Sequence, residues 1–232
     1  MASKQAGAHR VELNSALFLG GLTPSLGNFL LSKKNEGIAV LPMVRPRPAG
    51  FFYSTNEYLT MLEDAKLFMQ HGADGIVFGF LNADGTIDSA RTTEFVEIAG
   101  AKEAVFHRAF DLTPDPFAAL ETLVQCGVKR VLTSGQAPSA AEGIELIKQL
   151  VEKAAGRIEI LPGAGIRPAN ASHIINYTGV KQIHFSAMVK KPEPSNLHNP
   201  GLHFGGALYP PENTVDVISP EKISAILNSL EH

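Results

Sequence analysis

A chain of 232 residues with 44% hydrophobic and 19% charged side chains has the composition of a globular protein. At that length folding removes roughly 70–75% of the unfolded surface from water, so a full core needs no staples. One cysteine, Cys126, excludes a disulfide framework or a cysteine-rich zinc module and makes a reducing, cytoplasmic setting the expectation, while 20 basic against 23 acidic residues without a basic block exclude a nucleic-acid surface.

The first eight residues end in Gln5-Ala6-Gly7-Ala8, like the close of a crossover helix. Apolar runs with little polar alternation follow at 9–14, 38–45, 75–81, 103–110, 130–135, 158–163 and 182–187. Such runs are covered on both faces, as parallel strands are. Their centres lie roughly 25 to 36 residues apart, the length of a strand, a loop and a crossover helix. Helix signals fill the intervals. Ser54 and Glu57 form a capping-box pattern before Tyr58, Leu62, Ala65 and Met69. Asp115-Pro116 opens a helix that Gly127 stops, and Ser139 with Glu142 repeats the capping box ahead of a helix ended by Gly156. A shorter helix spans 170–176, stopped near Gly179, and Ser219-Pro220 opens the last one at 220–230. Between them, 188–219 is rich in Pro, Gly and Asn and reads as a long loop suited to a lid or an oligomer contact.

Alternating strand and helix means an open doubly wound sheet or a closed barrel. Neither Gly20-Gly21 nor Gly163-Ala164-Gly165 supplies the G-x-G-x-x-G turn of a dinucleotide fold, and the number of repeats favours a (β/α)8 barrel over residues 1–232 as one domain. Seven strand runs, not eight, are visible. The expectation is that a first strand–helix unit is absent, leaving sheet edges that favour a homodimer or other homo-oligomer. No apolar stretch approaches the roughly 20 residues of a membrane span.

In such barrels the working residues lie at the carboxyl ends of the strands. In Phe106-His107-Arg108-Ala109-Phe110-Asp111, period two puts His107 and Asp111 on one face. His107 is a candidate general acid/base or metal ligand with Asp111 to orient it, the alternative being a buried hydrogen-bonded histidine beside a turn aspartate. Glu12 and Asn14 share a face of the first visible strand, where a carboxylate is costly unless paired or used. Arg45 and Arg47 flank Pro46 and suit an anion clamp or a structural pair with Glu12. Thr133-Ser134-Gly135 offers hydroxyls or strand capping. Gly163, Gly165 and Ser186 are small residues at the last strand ends, where backbone N–H groups can meet an anion or the chain can simply pack closely. Cys126, His71, His173, His198 and His203 read as packing, capping or surface residues.

Arg10-Val11-Glu12-Leu13, Gly20-Gly21-Leu22-Thr23-Pro24-Ser25, Arg45-Pro46-Arg47, residues 106–111 and Arg130-Val131-Leu132-Thr133-Ser134-Gly135 together resemble the CutC copper-homeostasis family. The resemblance covers residues 6 to about 188. It implies a barrel of the triosephosphate-isomerase type, a cytoplasmic location, a tendency to dimerise and a link to copper(I). It also implies cysteine ligands at the ends of the family's first and second strands, soft donors that suit copper(I). The second of those positions falls on Asn14 here. Two functions follow. In one the chain binds copper(I), with Met43 and His107 as the strand-end donors. In the other it is an enzyme on a small phosphorylated or carboxylated molecule, with Glu12, His107 and Asp111 as acid/base groups. There Arg45, Arg47, Arg108, Ser134, Gly163, Gly165 and Ser186 hold the anion.

Overall fold

The strands expected from apolar runs form one parallel wall. β1 (Arg10–Leu13) pairs with β2 (Ala39–Pro42), and β3 (Gly75–Phe78), β4 (Glu103–Phe106), β5 (Arg130–Thr133) and β6 (Glu159–Pro162) follow in that order. The two sheets join where Val44 N–H donates to the Val77 carbonyl at 2.7 Å and Met43 bridges Val77 in parallel. This computed structural model describes residues 2–195, 198, 201, 202, 204, 205 and 213–230.

After the short α1 (Ala2–Gln5), helices α2 (Leu26–Glu36), α3 (Thr55–Gln70), α4 (Ser89–Ala99), α5 (Pro116–Gln125), α6 (Ile144–Ala154) and α7 (Ala171–Thr178) connect the strands. The caps are largely those the sequence announces. Ser54 and Glu57 close a reciprocal capping box on α3, Asp115 accepts from the Phe117 and Ala118 N–H groups, and Gly179 ends α7 in the left-handed region. Ser139 and Glu142 do bond, but α6 begins only at Ile144. The delay is steric. Gly143 passes so close to the end of β5 that a Cβ on it would lie 2.0 Å from the Ser134 carbonyl oxygen, so a turn precedes the helix.

Alternation along each strand divides the core in two. Val40, Ile76, Phe78, Ala104, Phe106 and Val131 face the helices, whereas Leu41, Met43, Val77 and Val105 meet one another inside the wall. A sheet with helices on its outer face and its own side chains stacked within is an α/β barrel of the triosephosphate-isomerase type.

Charges close the end at which the strands begin. Arg130, the buried first residue of β5, donates at 2.6 Å to Glu103 and to Glu159, the first residues of β4 and β6. Arg10, first in β1, reaches Glu103 at 3.5 Å and donates to the Gln182 side chain. The seventh run, 182–187, joins β6 through the His184 N–H and the Pro162 carbonyl (2.8 Å) without a continuous ladder. Between that run and β1 the described residues make no backbone ladder. A cavity of about 260 Å³ opens along this seam, lined by Val11, Leu41, Val105, Leu161 and Ile183.

The expected long loop needs correction at both ends. β7 (Met188–Pro192) and β8 (Thr214–Ile218) pair antiparallel, from Met188 with Ile218 to Pro192 with Thr214. Exposed Lys190 and Lys191 give this edge pair no apolar run by which to recognise it. The last helix, α8 (Pro220–Asn228), is capped by Ser219 and buries Ile223 and Ile226. No helix among the described residues is long and apolar enough to cross a membrane.

Candidate functional site

At the carboxyl ends of the strands the barrel opens into a cavity of about 670 Å³. Glu12 pairs in register with Leu41, an interior residue, and so points inward like it. Its carboxylate accepts a hydrogen bond from the Asn14 amide at 3.2 Å, and among the described residues no cation pairs with it. The alternative of an Arg45–Glu12 or Arg47–Glu12 ion pair is therefore not realised.

His107 follows Val105 by two residues and likewise turns into the barrel, where it is buried to 3% exposure. Its ring needs the bare Gly79 beside it, since a Cβ there would lie 2.4 Å from His107 Cε1. The Ala109 N–H donates to His107 Nδ1 at 3.1 Å. A backbone N–H can only donate, so Nδ1 carries the lone pair and the neutral ring holds its proton on Nε2. That Nε2 is buried with no partner among the described residues. Burial, reinforced by the charge of Arg45, pulls the imidazole pKa down to about 3.

Arg45 is also buried, held by the carbonyls of Leu19 (3.2 Å), Gly21 (3.0 Å) and Ala49 (2.9 Å). Its Nε has no partner among the described residues. The Phe51 ring lies over both groups, 4.7 Å from the imidazole and 5.1 Å from the guanidinium carbon.

Alternation breaks directly after His107, because Arg108–Leu112 is a 3-10 helix. This overturns the expectation that Asp111 orients His107. The tight turn carries Asp111 to the end of β5, where it accepts from the Thr133 hydroxyl (2.5 Å), the Ser134 N–H (3.1 Å) and the Gln136 N–H (3.2 Å). Asp111 also holds Arg108 at 2.8 Å, and Arg108 donates to the Ser134 hydroxyl at 2.7 Å. Asp111 and Ser134 thus brace an arginine that borders the cavity, and neither borders it directly.

Arg47 is a second correction. It pairs with Glu57, donates to the Gly50 and Phe52 carbonyls and covers the Tyr53 ring, so its fork is consumed away from the cavity. Gly163 is a third, since a Cβ there would lie 2.6 Å from Leu132 Cδ1 and the residue serves close packing. Glu12, Arg45, His107, Arg108, Gly165 and Ser186 do border one cavity. Outside strands and helices, the N–H groups of Gly165 and Ser186 donate to no acceptor among the described residues.

Phe51, Arg167 and Lys222 are among the lining residues that the sequence does not announce. Arg167 stands two residues after Gly165, a position the strand-end argument could have reached. Lys222 comes from the first turn of α8, and only the tertiary fold brings it over the mouth.

A family model described as the CutC family matches residues 1–189. The chain belongs to the CutC family. A family protein CutC of Treponema denticola is 57% identical over 228 residues, covering 98% of this chain and 93% of that protein. The Homo sapiens copper homeostasis protein cutC homolog is 40% identical over 224 residues, 97% of this chain and 82% of the relative. The crystal structure of Streptococcus agalactiae CutC superposes with a TM-score of 0.74 at 36% identity, covering 78% of this chain and 90% of that one.

Copper(I) favours thiolate, thioether and imidazole donors. In this CutC-family chain the only cysteine, Cys126, caps the far end of α5 and is buried with its thiol against the Ser89 carbonyl. Met43 and His184 border the mouth, but the nearby His107 offers Nε2–H and not a lone pair. No group of three or more His, Cys, Asp or Glu among the described residues is arranged to hold a metal ion. The cavity is also ringed by cations. The donors at the mouth do not fit copper(I). His198 is exposed, and His203 lies outside the described residues.

Proposed function

We propose that this chain serves copper homeostasis, the role in the name of its human relative, through a barrel-mouth site for a small phosphorylated or carboxylated molecule on which it does acid/base chemistry. Direct carriage of copper(I) is not part of this reading. The observation that carries it is the charge around the cavity: Arg45, Arg108, Arg167 and Lys222 against the single carboxylate of Glu12. A concave site with such an excess attracts an anion and repels a metal cation.

Arg108 is the braced cation, Lys222 and Arg167 are exposed ones at the rim, and the free N–H groups of Gly165 and Ser186 suit oxyanion oxygens. Glu12 is the base and His107 the proton-bearing partner. The setting is the cytoplasm, which suits an unpaired thiol, and exposed Leu17 and Phe18 after β1 support a homo-oligomer.

Calorimetric titration with 2-phosphoglycolate, beside an anaerobic copper(I) competition against a chromogenic chelator, tests the reading. Saturable anion binding that weakens about tenfold in Lys222→Gln, a loss of about 1.4 kcal/mol, is expected, with no tight copper(I) stoichiometry. No anion binding, or one-to-one copper(I) capture that survives Cys126→Ser, would overturn it and return attention to Met43 and His107.

A further inference from the structure

His107 and Arg45 line the same cavity and pack against the same Phe51 ring, and each holds a buried N–H group, Nε2 and Nε, without a partner among the described residues. A buried donor left unmade is costly, so a pair of them suits an acceptor that arrives with the ligand. The incoming group must accept, because both groups can only donate, and a carbonyl oxygen with two lone pairs can take both. One carboxylate, Glu12, faces the same space and is tied to the protein by one long hydrogen bond.

We propose that the mouth enolises a small carbonyl compound bearing an anionic tail, with the carbonyl oxygen between His107 Nε2–H and Arg45 Nε–H and Glu12 as the base. This rests on the anion-site reading above and names the substrate class and reaction. Glu12 takes a proton from the carbon beside the carbonyl. The C–H electron pair becomes the carbon–carbon double bond, and the carbonyl π pair moves onto oxygen as the enolate. The protonated Glu12 exchanges its proton with solvent and returns one to the same carbon as the oxygen's electron pair re-forms the carbonyl, which is exchange. Where a hydroxyl adjoins the enolate, its proton passes to the enolate oxygen while Glu12 protonates the former carbonyl carbon, and the hydroxyl oxygen becomes the new carbonyl, which is isomerisation. Atoms and charge balance without an oxidant, reductant or second substrate.

The roles divide by chemistry. A neutral imidazole donating from Nε2 stabilises the developing enolate oxygen without handing over a full positive charge, and its tautomer is fixed by the Ala109 N–H. Arg45 is immobilised by three carbonyls, so its free N–H is in place before the ligand arrives. Phe51 packs against both side chains. The tail is left to Arg108, Arg167 and Lys222, which border the same mouth.

The test is solvent deuterium uptake, followed by proton NMR, into dihydroxyacetone phosphate and pyruvate, with 2-phosphoglycolate binding measured on the same samples. Expected is exchange of at least one compound above the protein-free rate. Glu12→Gln should lower that exchange by about 100-fold or more while binding 2-phosphoglycolate at least as tightly, since it removes the one negative charge. His107→Asn keeps an acceptor for Ala109, but its amide N–H group stops short of the Nε2 position, and it should slow exchange about 10- to 100-fold, whereas His107→Gln, whose longer side chain carries an N–H group to about that position, should recover part of it.

Binding of 2-phosphoglycolate with no exchange of either compound would overturn enolisation and leave the anion site standing. Equal exchange by wild type and Glu12→Gln would overturn it as well. Absence of both binding and exchange would remove the two readings together.

Discussion

Acidifying the protein from pH 7 to pH 5 should cost stability through His107, and the size of that cost follows from its burial. The ring is 3% exposed, its pKa is pulled to about 3, and its ordinary value is 6.5. A base whose pKa is lower folded than unfolded binds fewer protons in the folded state. Its contribution is therefore complete above 6.5 and is lost as the pH falls toward 3. Each pH unit below the unfolded value costs about 1.4 kcal/mol, so pH 5 costs about 2 kcal/mol. The lowered carboxylates Glu57, Asp74, Asp84, Glu121 and Glu221 give up their contributions mainly below their ordinary values of 3.8 to 4.5, under this window, and a difference measurement removes what remains. Urea unfolding of wild type and His107→Asn at both pH values isolates the His107 contribution. Wild type should lose about 2 kcal/mol more than the variant between the two. Equal losses in the two proteins would refute the inference that His107 is buried, neutral and held from protonation.

Two further perturbations follow from the same geometry. Gly79→Ala places a methyl 2.4 Å from His107 Cε1 and 2.5 Å from Nδ1, so it should displace the ring, cost about 1–3 kcal/mol and abolish 2-phosphoglycolate binding in calorimetry. Arg130→Ala leaves Glu103 and Glu159 facing each other at the closed end of the barrel and should cost about 3 kcal/mol in urea unfolding, and adding Glu103→Gln and Glu159→Gln should restore most of it. Because that network lies at the opposite end from the mouth, anion affinity in the folded Arg130→Ala protein should change less than twofold, a change below about 0.4 kcal/mol.

Much of this architecture is legible in the sequence because parallel strands covered on both faces must be apolar. β2 to β6 announce themselves in Val40-Leu41, Ile76-Val77, Ala104-Val105, Val131-Leu132 and Ile160-Leu161. Ser54, Asp115 and Ser219 mark their helices because a side-chain oxygen must satisfy the first N–H groups. α2 was harder to see, since Leu30 and Leu31 are exposed and blur the apolar stripe.

Period-two alternation puts Glu12 and His107 at the mouth because both lie on strand geometry that continues into it. It failed at Asp111, where a 3-10 turn replaces the strand, and at Arg47, whose carboxylate partner lies ten residues on in the next helix. Lys222 depends on where α8 packs and has no local signal. The unpartnered Nε2 of His107 is a property of its surroundings, which no residue pattern contains.

The most direct test of the central claim is a long-range proton–nitrogen spectrum of the histidine rings, recorded with and without 2-phosphoglycolate. A His107 ring that stays in the Nε2–H form from pH 8 to pH 5 and whose Nε2 resonance shifts saturably with the anion is the expected result. A ring that protonates near pH 6.5, or an Nε2 signal unmoved by saturating anion, would contradict a barrel mouth built around a neutral histidine donor.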